Sequence, residues 1–326
     1  MSEYQLPLFE DNSAPVEAED DLRRPEWLAA LKKVNSIGNK RTILLVEHFK
    51  SASQLMKAPK EEIASVIGKR DVDLSSLVPQ KPFAHDEMKL TSFYEEDFPA
   101  GLRDLEDAPL FLWYRGEIPK QKAIAIVGTR NIDDWGISTT QKLAKMAGDS
   151  GFVVVSGLAL GVDTEAHKGC LESSSPTVAI LACDVRFPTP KANKELAEEI
   201  INRGGCLVAE VPPGTETESH ALISRNRLQA AWAQSLLVTQ CGIPSGTLHT
   251  VRFAMELHRS VAVLRPPAGA RGEQYAGNWN LTEDYKFDSR ILGGSKSFQE
   301  KVQSRITGAD SVIASQSEFE KFLADV

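Results

Sequence analysis

Short uninterrupted apolar runs recur through the middle of the chain, at residues 123–127, 152–155, 177–181, 206–209, 236–239 and 261–264. Each is too short for a helix and lacks the polar alternation of a half-exposed strand, so each reads as a strand covered on both faces. Amphipathic stretches with apolar positions three to four apart lie between them, at 137–148, 164–172, 193–202, 225–233 and 248–257. Strands of this kind alternating with helices predict an α/β fold, a doubly wound, mostly parallel Rossmann-like sheet.

Upstream, the pattern changes to helical. Trp27, Leu28, Leu31 and Val34, then Ile43, Leu44, Val46 and Phe49, keep helix spacing through residues 25–80, a small N-terminal domain. Asn35-Ser36-Ile37-Gly38-Asn39-Lys40 separates two of its helices, and Ala64-Ser65-Val66-Ile67-Gly68-Lys69 echoes it. The module reads either as SAM- or helix-hairpin-helix-like, with amides at a helix start facing a phosphate, or as a plain helical packing domain. Residues 1–24 form an acidic tail expected to be loose, with one patch, Leu6-Pro7-Leu8-Phe9, that is a docking motif or an incidental cluster. Residues 81–121 connect the two bodies, and Leu110-Phe111-Leu112-Trp113-Tyr114 is apolar enough to pack on the central domain, 81–267, as an edge. Residues 268–326 form an extension of unassigned fold, ending in one or two short helices.

Composition narrows the chemistry. With 37 Lys and Arg against 45 Asp and Glu in 326 residues, the net charge is −8, so any polyanion must be met by a local basic cluster. Cys170, Cys183, Cys206 and Cys241 lack the close spacing of zinc or dithiol sites and read as reduced, buried thiols. No basic leader with an apolar core and no membrane-length apolar stretch is present, which predicts a soluble cytoplasmic protein with no membrane partner.

Candidate chemistry gathers where the strands end. Gly128-Thr129-Arg130 closes the first run, where a glycine lets amides face an anion and a guanidinium grips phosphate oxygens with two prongs. The G-x-G-x-x-G fingerprint is absent there, which disfavours a dinucleotide dehydrogenase. Ser156-Gly157-Leu158-Ala159-Leu160-Gly161-Val162-Asp163 repeats the device after the second run, with Asp163-Thr164 placed to cap the next helix. His167, one turn on, reads equally as a ligand contact or a structural hydrogen bond. Phe187-Pro188 and Lys191-Ala192-Asn193 follow the third run, with Asn193 at a cap position. Ser224-Arg225-Asn226-Arg227 carries two cations at i, i+2, which do not share a helix face, so one turns to ligand and the other to a carboxylate. Pro244-Ser245-Gly246-Thr247-Leu248 opens the last helix as an anion site of amides and hydroxyls. In a parallel sheet all these ends share one rim, with Arg130, Lys191, Arg225 and Arg227 as its positive groups.

The order and spacing of these motifs over residues 97–267 resemble the DprA/Smf DNA-processing family. Phe98-Pro99, Leu102 and Asp107-Ala108-Pro109 resemble its entry segment, and residues 27–67 its N-terminal helical module. Ala182-Cys183-Asp184 departs from the glycine-containing turn usual there, and residues 268–326 do not resemble the winged helix that many members carry. The resemblance implies a non-catalytic homodimer, without cofactor or metal, that binds single-stranded DNA in a basic pocket and hands it to a RecA-type recombinase. Carried over residue by residue, it assigns DNA or phosphate contacts to Gly128, Thr129, Arg130, Ser156, Gly157, Ala159, Gly161, Asp163, Lys168, Lys191, Asn193, Arg225, Asn226, Arg227, Ser245, Gly246 and Thr247. Two rivals share the fold class. LOG-like nucleotide hydrolases need a glutamate where Thr250 stands, which disfavours them, and a nucleotide-sensing or adaptor subunit would use the same pocket.

Overall fold

The computed structural model describes residues 19–70, 72–74, 77–215, 219–282, 287–303 and 308–326, and the chain divides into two compact units, 1–82 and 83–326. The Leu6-Pro7-Leu8-Phe9 patch lies outside the described residues.

In the first unit, helices α1 (Pro25–Lys33), α2 (Asn39–Phe49), α3 (Ala52–Lys57) and α4 (Lys60–Ile67) bury Leu28, Leu31, Leu45, Val46, Leu55 and Ile63. The acidic segment is shorter than expected, because residues 20–22 are held. Leu22 is fully buried and its amide donates to Lys50 O at 2.9 Å, while the Asp20 carbonyl accepts from Ala52 N at 2.9 Å. The two glycine turns are not equivalent either. Gly38 opens α2, whereas Gly68 closes α4 in a left-handed conformation, so the second turn presents no helix start.

Among its described residues, the second unit is built on one nine-stranded sheet in the order β1-β2-β6-β5-β4-β3-β7-β8-β9. The strands are β1 (Lys89–Ser92), β2 (Phe111–Gly116), β3 (Ala123–Val127), β4 (Val153–Ser156), β5 (Thr177–Leu181), β6 (Cys206–Ala209), β7 (Ser235–Val238), β8 (Ser260–Leu264) and β9 (Ser311–Ile313). From β6 to β9 every pairing is parallel, and β3 lies centrally, with Ala125 opposite Val155 of β4 on one side and Leu236 of β7 on the other. The apolar pentad Leu110 to Tyr114 does enter the sheet, but β1 is the edge; β2 sits inside it, antiparallel to both β1 and β6.

Helices cover both faces, as the unbroken apolar strands require. On one face lie α5 (Asp134–Asp149), α6 (Val162–Leu171), α7 (Lys194–Asn202) and, later in the chain, α12 (Gln316–Asp325). Their core joins Ile124 and Ile126 to Leu143, Val162, Phe319 and Phe322. The other face carries α8 (Ser219–Trp232) and α9 (Thr247–Glu256), packed against each other.

Residues beyond 267 are continuous with this body rather than appended to it. Helices α10 (Ala276–Thr282) and α11 (Lys296–Gln303) lead to β9, whose Ile313 pairs with Leu264 of β8. Asn278 of α10 stitches the extension to the sheet: it accepts from Cys241 N at 2.6 Å and donates to Thr239 O at 2.9 Å and Leu264 O at 3.0 Å. No helix among the described residues is long and apolar enough to cross a membrane.

Candidate functional site

Strand order runs outward from β3 in two directions, through β4, β5 and β6 on one side and β7, β8 and β9 on the other. The loops leaving β3 and β7 therefore diverge, and the crevice between them is where such sheets take ligands. A hollow of about 370 Å³ opens there, lined by the turn after β3, the loop after β4, one flank of α8 and the start of α9.

The first two turns lock together. Thr129 N donates to Gln240 O at 2.7 Å, and Val162 N to Thr129 O at 3.0 Å. Gly161, at φ +82°, must be glycine for this fit: a Cβ there would fall 2.3 Å from Thr129 O. Arg130 is left exposed on the wall of the hollow.

Two capping expectations are corrected by the geometry. Asp163 lies inside the first turn of α6 rather than at its cap, and its carboxylate reaches back to accept from Gly157 N at 3.1 Å and Ala159 N at 3.3 Å. Asn193 does occupy the position before α7, but its side chain makes no cap. It donates instead to Leu158 O and Thr164 Oγ1, both at 2.8 Å, clamping the β4–α6 loop from outside. Ser156 is fully buried and spends its hydroxyl on Ile126 O at 2.7 Å. These three residues shape the loop and do not line the hollow, except Asp163, which closes its floor.

Helix α8 begins six residues before the sequence pattern suggested, at Ser219; residues 221–224 are half-buried or exposed, so no apolar period marks that turn. Arg225 and Arg227 divide as their spacing requires. Arg225, 7 % exposed, lines the hollow, donates from Nη1 to Ile180 O at 2.6 Å and stands against Gly157. Arg227 turns away to Glu210 at 2.7 Å and Asp107 at 3.1 Å, and so does not join the other cations. Lys168 pairs with Glu165 at 3.0 Å on α6, and Lys191 is exposed outside the hollow's lining.

On the opposite wall, Asn226 Nδ2 donates to Gly246 O at 3.2 Å, joining α8 to the turn that starts α9. Ser245 Oγ accepts from Thr247 N at 3.2 Å, and the positive end of α9 faces the hollow. Thr250 and Gln229 complete the lining. Gln229 was not singled out from sequence, although it lies four residues after Arg225 and so shares its helix face. Its Nε2 is buried with no hydrogen-bond partner among the described residues.

The electrostatics are those of a cationic cradle around one acid. Burial lowers the proton affinity of Arg225, and the neighbouring Asp163 charge opposes that; burial raises the pKa of Asp163, and Arg225 with the two loop amides opposes it. A guanidinium stays charged under such pressure. His167 is fully buried, bonded to Thr177 Oγ1 at 2.7 Å, and burial pushes its pKa down to about 3, so it is a neutral core residue. Large apolar side chains stand exposed on the loops of the same rim: Leu160 after β4, Phe187 after β5 and Ile243 after β7, with Ile223 on α8. Phe187 is 67 % exposed, and the Arg186 guanidinium lies 5.3 Å from its ring centre. Among the described residues no three His, Cys, Asp or Glu side chains gather as a metal site.

Comparison with known proteins places this geometry. The family model for DNA recombination-mediator protein A matches residues 89–286. Protein Smf of Synechocystis is 30 % identical over 251 residues, covering 72 % of this chain and 63 % of that protein. DNA processing protein DprA of Streptococcus pneumoniae is 31 % identical over 172 residues, 52 % of this chain and 60 % of that one. The chain thus spans less than two thirds of the length of these relatives. The crystal structure of DprA from Streptococcus pneumoniae superposes with a TM-score of 0.66 at 24 % identity, covering 91 % of this chain and 96 % of that one. DNA processing protein A from Helicobacter pylori, solved in a study of its single-stranded DNA binding mode, gives 0.57 at 22 % identity, covering 74 % and 98 %. Those two structures share its fold, and with a family model matched across more than half of its length, from β1 through the whole switch-point site, this chain belongs to the DNA recombination-mediator protein A family, the DprA/Smf proteins.

Proposed function

We propose that this protein binds single-stranded DNA along the carboxyl-end rim of its sheet, without cleaving it, as a homodimer that delivers the strand to a RecA-type recombinase. One observation carries the binding step: the hollow between β3 and β7 sets the guanidinium groups of Arg130 and Arg225 and the start of α9 around a space of about 370 Å³. Cations and helix amides suit phosphate, and the exposed Phe187 and Ile223 offer apolar faces for unstacked bases. The Helicobacter pylori protein, whose structure was solved in a study of its single-stranded DNA binding mode, supports the same ligand class. Dimerisation and the recombinase partner rest on the family resemblance alone.

The hollow is also close to the size of one nucleotide, which favours a nucleotide-sensing role as the second reading. A fluorescence-anisotropy titration with labelled oligothymidine, competed by a panel of mononucleotides, separates the two. Strand binding with a steep salt dependence, weakened in Arg130→Ala with the log–log salt slope lower by about 0.7, supports the first. Saturable mononucleotide binding with no strand binding transfers the site to the second. Base released from the nucleotides would overturn both in favour of hydrolysis.

A further inference from the structure

The buried lining of the hollow between β3 and β7 holds polar groups that the fold itself leaves unmet. Gln229, 2 % exposed, lines it from α8 one turn after Arg225, and its Nε2 has no hydrogen-bond partner among the described residues. Arg225 Nε, on the same helix face, is also buried and unpaired, although Nη1 of the same side chain is bonded to Ile180 O. Both are N–H groups, so what this lining lacks is acceptors. Buried donors are rarely left unpaired, and two on one helix face of one hollow call for a ligand that brings oxygens to them.

Charge sharpens the choice of ligand. Arg130 lines the same hollow with no carboxylate within ion-pair distance among the described residues. The acid in the lining, Asp163, accepts from the Gly157 and Ala159 amides and lies beside Arg225. Two guanidinium groups and about half a charge at the start of α9, set against Asp163, leave roughly one and a half positive charges. An internal phosphodiester brings one negative charge and two free oxygens. A phosphomonoester brings roughly 1.5 to 2 charges at pH 7 and three oxygens, which suits both the charge and the unpaired donors better. Space favours it too: about 370 Å³ is close to one nucleotide, so an internal phosphate at the bottom would have to draw in the nucleotides on both its sides, whereas a terminal one enters first.

We propose that the hollow receives a phosphomonoester, the terminal phosphate of a strand or of a free nucleotide, and that Gln229 selects it over an internal phosphodiester by donating to its additional terminal oxygen. For a strand, this rests on the strand-binding reading of the same site.

Calorimetric titrations of the full chain test it, with oligothymidines of one length ending in a 5′ phosphate, a 3′ phosphate or hydroxyls only, beside thymidine monophosphate and thymidine. A phosphate-ended ligand is expected to bind about tenfold more tightly than its hydroxyl-ended twin, the worth of one hydrogen bond to a charged group. The gain should shrink as the pH falls from 7.5 to 5, because the monoester loses its second charge near pH 6 while Arg130 and Arg225 stay charged. A proton taken up by Asp163 over that range acts with the opposite sign, strengthening anion binding in acid. Gln229→Leu keeps the side chain's bulk and removes an unpaired buried donor, so folding is retained, and in it the gain should fall to about twofold or less. Equal affinity for phosphate- and hydroxyl-ended ligands overturns the proposal, as does a gain that persists at pH 5 or that Gln229→Leu retains in full, which marks added charge alone. A gain for thymidine monophosphate with no binding of any strand assigns the site to free nucleotides and refutes the strand-binding reading. Hydroxyl-ended strands that bind, lose affinity in Arg130→Ala and gain nothing from a terminal phosphate refute only this inference.

Discussion

Gly157 is the most exacting position at the site, and a single methyl group tests it. Its backbone is not in the left-handed region, so alanine is allowed there by conformation. The space is not: a Cβ would lie 1.7 Å from Arg225 Nη1 and 2.4 Å from Cζ. Ordinary contact begins near 3.4 Å, so the guanidinium must move by more than an ångström and give up its 2.6 Å bond to Ile180 O. Because the group struck is the end of a flexible side chain, the fold survives and the cost is that of one charged hydrogen bond, about 1.5–3 kcal/mol. Gly157→Ala is therefore expected to lower the urea midpoint with an unchanged slope of unfolding, and to lower the salt slope of strand binding by about 0.7, as Arg225→Ala does. The two substitutions should also be strongly non-additive. In an Arg225→Ala background the three atoms nearest the new methyl group, all of the guanidinium, are gone, and Gly157→Ala should cost much less than in the parent. Equal cost in both backgrounds would refute the contact between Gly157 and Arg225 as the reason for the glycine.

Arg227→Ala should separate stability from binding: loss of the buried guanidinium and its bonds to the mostly buried Glu210, with the exposed Asp107 adding little, is expected to cost about 1.5–3 kcal/mol in urea unfolding, yet the salt slope of strand binding should not change. Asp184 sets an acid limit. Burial pushes its pKa up, but hydrogen bonds from Arg186 and the Gly214 amide outweigh that and hold it at about 2, below its ordinary 3.8. The resulting stability, about 2 kcal/mol, is complete above pH 4 and disappears as the pH falls through about 2. Denaturation curves of Asp184→Asn should thus lie below those of the parent at pH 7 and converge with them in acid; parallel profiles would exclude this role.

The central strands were legible because nothing polar interrupts them. Runs such as 123–127 and 177–181 coincide with β3 and β5, and the motif-bearing turns fall where a parallel sheet must put them. Helix α8 was partly hidden for the opposite reason. Residues 221–224 are half-buried or exposed, so its first turn carries no apolar period, and that turn was read as loop. Strand β9 has only three residues and begins with a serine, too little for any period to show. The roles of Asp163 and Asn193 were misread as local caps because their true partners are a loop behind one and a segment some 30 residues away from the other. Local pattern names residue types at a turn; which way each side chain points depends on contacts distant in sequence.

The return of the chain to the sheet at β9 has a consequence for synthesis. Ile313, Phe319, Phe322 and Leu323 pack into the same core as Ile124 and Ile126, almost two hundred residues upstream. While the chain is still emerging from the ribosome, that face of the sheet stays open, and its apolar surface is available to chaperones or to other nascent chains. The first unit, complete by residue 82, carries no such delay.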